Sequence, residues 1–412
     1  LKNFISGFFV LFILSACSVQ KRAVKEISTL RSDGFQGYIF LDPETGETLL
    51  SKHAEKYFIP ASTTKIFTLY ASLIRMDDSL TAFRYHIGGD TLFVKGTSDP
   101  TFLNPNFSQG NTYNFLKEYS KISLNTSGYT GSRYGSGWMW DDAGEAYQTE
   151  ISSFPIYGNL LTEDVSNGES VFFPQSFEKL NVNHATDIFN WEKTSRGKEG
   201  RRQLAFNTND EITGFLLSDT LQVTFVKSDT EKMSYENELK SVPKDTVLRF
   251  MMYKSDNMLA EHMLLQAGLS LYENGITTKT IIDDLLKSDL KGLPHQPRWV
   301  DGSGLSRYNL FTPADLVFVV RKIYEDFGEE AIKNYFPHNG SPGTMENFIS
   351  DEPVFLFAKS GSMSGVYNLA GRIKTDSGRH LIFAVMNNNF AVGVSTVREQ
   401  TAKLLKIVKA KL

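Results

Sequence analysis

The sequence predicts an α/β fold in which a β-rich block interrupts a framework of strands and helices. Three observations carry this: paired strands and an amphipathic helix near the start, a change of texture in the middle, and helices and strands again toward the end. Gly37 to Leu41 reads as a strand, Asp42-Pro43-Glu44-Thr45-Gly46 as a turn, and Thr48 to Leu50 as the returning strand. Apolar runs bounded by Pro, Gly and Asp have that form. After Pro60-Ala61, residues Ile66, Leu69, Tyr70, Leu73 and Ile74 fall at i, i+3, i+4, i+7 and i+8, the stripe of a helix packed on a core. From about Leu80 to Pro243, strand-like runs such as Thr91 to Lys95 and Leu221 to Val226 are separated by Gly, Ser, Asn and Asp clusters. Within this block Glu192 to Arg202 reads as a charged, solvated loop. Helical periodicity returns at Asp256 to Tyr272. Val354 to Ala358, Val366 to Ile373 and His380 to Met386 read as neighbouring strands, and Val394 to Lys411 as a closing helix.

At 412 residues the chain exceeds one ordinary domain. With 41% hydrophobic and 22% charged residues it can bury a core. A net charge of −4 without a basic block excludes a nucleic-acid surface, so no nucleic acid is expected as a partner. After Lys2, the run Phe4 to Ala16 is almost wholly apolar. It is too short to span a bilayer as a helix but fits the apolar region of a secretory signal. It ends in Leu14-Ser15-Ala16-Cys17, which resembles the bacterial lipoprotein box, whose cysteine becomes the lipidated first residue. A lipid on Cys17 is therefore expected to anchor the protein to a membrane at the periplasmic side of the envelope, with the outer membrane as the expected site. Cys17 is the one cysteine, so no internal disulfide is expected. The sequence opens on Leu1 rather than Met, and the translation start is expected to differ slightly. Ser18 to about Glu26 reads as a polar tether. The boundaries expected are 1–17 for the signal, 18–80 for the first part of the framework, 81–245 for the insertion and 246–412 for the second part.

Three short patterns carry chemistry. In Ser62-Thr63-Thr64-Lys65 the serine and lysine stand at i and i+3, on one face of a helix, so the amine can reach the hydroxyl. A serine is a poor nucleophile until a base takes its proton, and burial lowers a lysine far enough to serve. Ser-x-x-Lys also begins at Ser18, Ser176, Ser195, Ser241 and Ser288, but only Ser62 opens an amphipathic helix. Ser255-Asp256-Asn257 stands at the start of another helix, where plain capping is the simpler role. Its functional role would be a proton relay at Ser255 and an anchoring amide at Asn257. Lys359-Ser360-Gly361 follows a strand-like run. The lysine and hydroxyl can hold a carboxylate, and the glycine admits a close backbone. Taken together, the three occur in the order known for penicillin-binding proteins and serine β-lactamases. The seven histidines show no zinc-binding spacing, and neither a metal nor a cofactor is expected.

With these motifs the chain resembles the type-4 penicillin-binding proteins, a family of D-alanyl-D-alanine carboxypeptidases and endopeptidases with a large insertion between the first two motifs. Further stretches match: Gly96 to Thr101, Gly137-Trp138-Met139-Trp140-Asp141-Asp142, Asp301 to Arg307, and Ala358 to Gly371. Two features depart: Ser360 stands where Thr is usual, and the insertion is shorter than in longer relatives. The resemblance implies a penicillin-binding-protein/serine β-lactamase-like transpeptidase domain, an antiparallel sheet with helices built from both chain ends. It implies that Ser62 attacks, Lys65 is the base, Ser255 and Asn257 assist proton transfer, and Lys359 with Ser360 and Gly361 holds a carboxylate. The backbone N–H groups of Ser62 and Ser362 would form the oxyanion hole. Asp142 and Arg307, with Tyr147, Met363 and Ser364 as neighbours, would bind the amine and carboxylate of diaminopimelate; Asp141 is the alternative to Asp142. The partners implied are peptidoglycan stem peptides and, as covalent inhibitors, β-lactams. A serine β-lactamase, or a wall-binding lipoprotein without turnover, is the competing expectation. A Ser-His-Asp hydrolase is disfavoured because no Gly-x-Ser-x-Gly elbow is present.

Overall fold

In this computed structural model of the protein, residues 22–28, 34–108, 110–167, 169–178, 200–227 and 233–412 are described. The box ending at Cys17 and residues 192–199 of the charged stretch lie outside them. Five antiparallel strands form the central sheet in the order Leu356–Met363, Val366–Lys374, His380–Asn388, Phe35–Leu41, Thr48–Lys52. Among the described residues the first strand is therefore paired with the last, Tyr38 opposite Val385 and Phe40 opposite Phe383, which joins segments far apart in sequence.

Both faces of this sheet are buried, which is why Leu381 to Met386 is apolar without alternation. Ile382, Ala384 and Met386 pack on one side with the helices Lys65–Arg75, Asn257–Ala267 and Pro313–Tyr335. Leu381, Phe383 and Val385 pack on the other with Leu404, Leu405 and Val408 of the helix Val394–Lys411. That second side also takes in Ala23 and Ile27. Residues 22–28 are thus a helix docked on the core, not the end of a tether. Two apolar residues at i, i+4 in a charged segment bury only when a sheet face is waiting for them. The helix Lys65–Arg75 departs from the one-sided stripe as well: every residue from Lys65 to Leu73 is buried, because neighbours enclose it on all sides.

The inserted chain enters through Ser79–Gly88 and leaves through Asn237–Pro243, which pair antiparallel with each other, Ser79 opposite Pro243. They belong to a five-stranded mixed sheet with Thr91–Gly96, Lys121–Asn125 and Thr224–Phe225. Its parallel pairs require crossovers, supplied by the helices Gly110–Lys117 and Asp210–Leu221. Leu221 accordingly ends a helix instead of opening a strand, since a short apolar run fits either element until its partners are known. A second sheet has the order Glu169–Phe173, Leu160–Ser166, Gly200–Ala205. Arg201 and Arg202 lie in its strand rather than in a loop, Arg202 held by Glu163.

The helix Asn257–Ala267 is the floor on which the insertion sits. Gln266 Nε2 donates to Thr81 O (3.0 Å) and Thr97 O (2.9 Å), and its Oε1 accepts from Thr81 N (3.2 Å). His262 is wholly buried beside it. Its Nδ1 donates to Met258 O (2.8 Å) and its Nε2 accepts from Ser152 N (3.3 Å), so the ring is neutral. Burial lowers the imidazole to about 4. The unfolded chain takes up this proton near its ordinary value while the folded chain resists it, so the stability is present above that value and lost as pH falls. From this group we expect a loss of about 3 kcal/mol between roughly pH 6.5 and 4. Urea titrations at several pH values should show that slope, and His262→Gln should flatten it; equal slopes would leave His262 without the effect.

Candidate active site

The site begins where the chain turns into its most buried helix. A 3-10 turn, Ala61–Thr64, runs directly into Lys65–Arg75. Ala61 has φ 48°, a left-handed conformation that costs an alanine about 1 kcal/mol or more and persists only where surroundings enforce it. The enforcing contacts come from the central sheet. Ile59 N donates to Asn388 Oδ1 (2.7 Å), and Asn368 Nδ2 donates to Ile59 O (2.9 Å) and Pro60 O (2.8 Å). Phe58 forms a bridge with Phe311 just before. Held in this way, Ala61, Thr63 and Thr64 are buried and Ser62 keeps part of its surface open.

Lys65 is wholly buried, and its amine meets three oxygens: Ser62 Oγ at 3.0 Å, Asn257 Oδ1 at 2.7 Å and Ser303 O at 2.8 Å. A neutral amine has two N–H bonds and one lone pair. Donation to Asn257 and Ser303 leaves the lone pair for the Ser62 proton, which is the geometry of a general base. Burial lowers Lys65 to about 8, against the opposing pull of Asp256, Glu261 and Asp301.

Ser255 does not open a helix. It closes Lys244–Lys254 in a left-handed conformation, φ 58°, and Asp256 caps the next helix by accepting from Leu259 N at 2.9 Å. The reversal between two helices is what presents Ser255 and Asn257 side by side. Lys359, also wholly buried, donates to Ser255 Oγ (2.9 Å) and to Ser360 O (2.8 Å). Burial, then the neighbouring Lys65, holds Lys359 well below the ordinary lysine value.

Lys359, Ser360 and Gly361 lie inside the strand Leu356–Met363, which runs further than the sequence indicated and forms an edge of the sheet. The alternation of side chains puts Lys359 and Gly361 on the same face. Gly361 touches the turn Ala61–Thr64: a β-carbon there would stand 2.5 Å from Pro60 O, 2.8 Å from Thr63 N and 2.9 Å from Ser62 N. Asn368 is the cross-strand partner of Gly361, and its amide reaches Pro60 in the space a side chain would take. Ser362 is exposed at the end of this strand.

The remaining residues form the rim. Trp140–Asp142 is a single 3-10 turn, and Tyr147 Oη donates to Asp142 Oδ1 at 2.7 Å. Tyr147 O accepts from Asn257 Nδ2 at 2.9 Å, which ties this turn to the second motif. Burial and the adjacent carboxylate raise the Tyr147 hydroxyl above its ordinary value. Arg307 Nη2 donates to Ser364 O at 2.8 Å, next to Met363, so it is tied to the far end of the third motif. Asp141 is exposed. Asp142 and Arg307 are thus held by different anchors, Tyr147 and the Ser364 carbonyl. Sequence reasoning missed Asn368, Asn388 and the Ser303 carbonyl. Asn368 and Ser303 lie in stretches already singled out; nothing distinguishes Asn388 before the sheet is assembled.

A family model described as the D-Ala-D-Ala carboxypeptidase 3 (S13) family matches residues 31–209 and 206–411. D-alanyl-D-alanine carboxypeptidase DacB of Haemophilus influenzae is 22% identical over 430 residues, covering 90% of this chain and 88% of that protein. The crystal structure of penicillin binding protein 4 from Haemophilus influenzae matches with a TM-score of 0.74 at 21% identity, covering 94% of this chain and 99% of that one. The same protein in complex with a β-lactam matches with a TM-score of 0.66 at 19% identity and the same coverage. These two likenesses are ones of fold.

Because the three atoms facing a Gly361 β-carbon are backbone, they cannot move without displacing Ser62. Gly361→Ala should cut the rate at which a penicillin acylates the protein by about 100-fold or more. The far-ultraviolet circular dichroism should stay native. Labelling at the wild-type rate would mean that this contact does not set the geometry.

Proposed function

The chain belongs to the D-Ala-D-Ala carboxypeptidase 3 (S13) family, and from that membership we propose that it is a penicillin-sensitive serine-type carboxypeptidase and endopeptidase of peptidoglycan stem peptides. The observation that carries the reading is the Lys65 amine, buried, bonded to Asn257 and Ser303, and 3.0 Å from Ser62 Oγ.

In this reading Ser62 Oγ attacks the carbonyl carbon between two D-alanines while its proton passes to Lys65 Nζ. The oxyanion is met by the Ser62 and Ser362 N–H groups, where charge develops only in the transition state. Collapse breaks the C–N bond, and the proton reaches the leaving amine through Lys65 and Ser255. D-alanine, or the D-amino acid of a crosslink, departs. Water then frees the stem peptide from Ser62. Lys359, with Ser360 and Gly361, holds the carboxylate that ends the substrate, as charge-assisted hydrogen bonds do best in a buried setting. The edge strand Leu356–Met363 is bridged at Leu356 to Ala358 by Pro337 to Asn339, and its further part, Lys359 to Met363, supports an extended peptide lying alongside it. A β-lactam acylates the same serine. Two lysines this close repel each other, and a bound carboxylate relieves that repulsion.

Asp142 and Arg307 hold the amine and carboxylate at the end of a diaminopimelate side chain, with Tyr147, Met363 and Ser364 beside them. The division of the chain at about residues 80 and 245 supports this layout, the insertion supplying the rim and the flanking parts the catalytic groups. Cys17 carries the lipid that keeps the enzyme at the periplasmic side of the envelope, on the outer membrane; the apolar run from Phe4 supports this.

Two measurements test the reading. Ser62→Ala should lower peptide cleavage by roughly 10⁴-fold or more and abolish labelling by fluorescent penicillin; a covalent adduct on the variant would move the nucleophile elsewhere. Asp142→Ala should lower kcat/KM about 30-fold with diaminopimelate-containing peptides. The loss should shrink with acyl-D-alanyl-D-alanine peptides that lack the amine. Equal loss on both substrates would make Asp142 a structural residue.

A further inference from the structure

Three carboxyl groups stand on the elements that hold Lys65, and the reaction as derived uses none of them. The loop Asp301 to Gly304 is wedged between the second-motif helix and the nucleophile turn. A β-carbon on Gly302 would stand 2.7 Å from Ala260 O, and one on Gly304 (φ +82°) would stand 1.9 Å from Ala61 O. Carboxylates fix the orientation of this wedge. Glu261 Oε2 accepts from Gly302 N (2.9 Å) and its Oε1 from Ser303 N (2.8 Å). Asp301 Oδ1 accepts from Gly304 N (2.8 Å) and Asn309 Nδ2 (2.7 Å), and its Oδ2 accepts from Ser306 N (2.7 Å) and Trp138 Nε1 (2.9 Å). With the N–H groups turned to the carboxylates, the carbonyls point the other way: Gly302 O accepts from Thr68 Oγ1 (2.6 Å) and Ser303 O from Lys65 Nζ (2.8 Å).

The partners of Asp301 are N–H donors, and those of Glu261 are two backbone N–H groups and the Ser303 hydroxyl, which can donate as well. A protonated carboxyl would need an acceptor for its own hydrogen, so the hydrogen bonds accommodate the anions, although burial opposes ionisation. The groups facing Lys65 are Asp256 and Asn257 from the second motif, Glu261 one turn on, Asp301 from the wedge, and the buried amine of Lys359 from the edge strand. We propose, on the reading that Ser62 and Lys65 are the acylating pair, that Asp256, Glu261 and Asp301 are positioning residues: Glu261 and Asp301 aim the Ser303 carbonyl at Lys65, and the three acids together, Asp256 from its cap position, govern how readily that lysine gives up its proton.

The direction follows from charge. Burial disfavours the ammonium form and the three carboxylates favour it. Lys65 must be neutral when Ser62 attacks, so the acylation rate falls on the acid side of the lysine's titration. Removing one carboxylate charge leaves burial less opposed, and the acid limb moves to lower pH. The experiment is the second-order rate of acylation of the full chain by benzylpenicillin, measured from about pH 5 to 10. Asp256→Asn is the cleanest variant because asparagine caps a helix as well as aspartate. It should keep the native thermal transition and shift the acid limb down by about one pH unit. Glu261→Gln and Asp301→Asn should shift it likewise and also lower the plateau, since an amide cannot accept on both sides. An acid limb that stays in place in Asp256→Asn and in whichever other variant melts like the parent overturns the proposal. A parent protein that benzylpenicillin does not acylate at all overturns the Ser62–Lys65 reading instead.

Discussion

An amine sealed from water must find every hydrogen bond it makes inside the protein, and the rest of this molecule is arranged around one such amine. Lys65 takes its partners from the nucleophile turn, the second-motif helix and the loop at Ser303. None of these segments neighbours another in sequence. Each must be brought to within hydrogen-bond reach and held there, because an unpartnered polar group in this setting is costly. The glycines at 302, 304 and 361 mark where backbone approaches backbone to make that possible. The sheet that joins segments far apart in sequence supplies the frame.

The chemistry was legible in the sequence to the extent that it is local. Ser62 and Lys65 are one helical turn apart, so spacing alone relates them. The strands near Phe40 and Phe383 declared themselves as apolar runs, and the resemblance to a known family joined the three motifs into one site. What could not be read is whatever depends on cross-strand position or on reversal of the chain. Asn368 matters because it stands opposite Gly361, and Asn388 because it reaches Ile59; no pattern of residue types announces either. Ser255 looked like the start of a helix because Ser, Asp and Asn all cap well, whereas a left-handed residue between two helices is visible only in the backbone. Ala23 and Ile27 were overlooked since two apolar residues in a polar stretch carry almost no periodicity.

The insertion is joined to the catalytic framework by more than its two entry strands. Gln266 and His262, both on the helix that begins at Asn257, bond to Thr81, Thr97 and Ser152. Tyr147 then returns from the insertion to bond Asn257 itself. A single helix therefore presents the Asn257 amide to Lys65 at its first residue and docks the insertion with its later turns. Movement of the rim relative to the mouth is coupled to the very side chain that partners Lys65.

The pairing of Phe35–Leu41 with His380–Asn388 has a consequence for how the protein comes into being. A chain emerging N-terminus first exposes this strand long before its partner exists, and contacts of such sequence separation form slowly. Ser62 is faced by Gly361 and by the asparagine opposite it, which follow it far along the chain. A growing chain thus holds Ser62 before the strand that faces it exists. The site is assembled only in a polypeptide that has closed on itself.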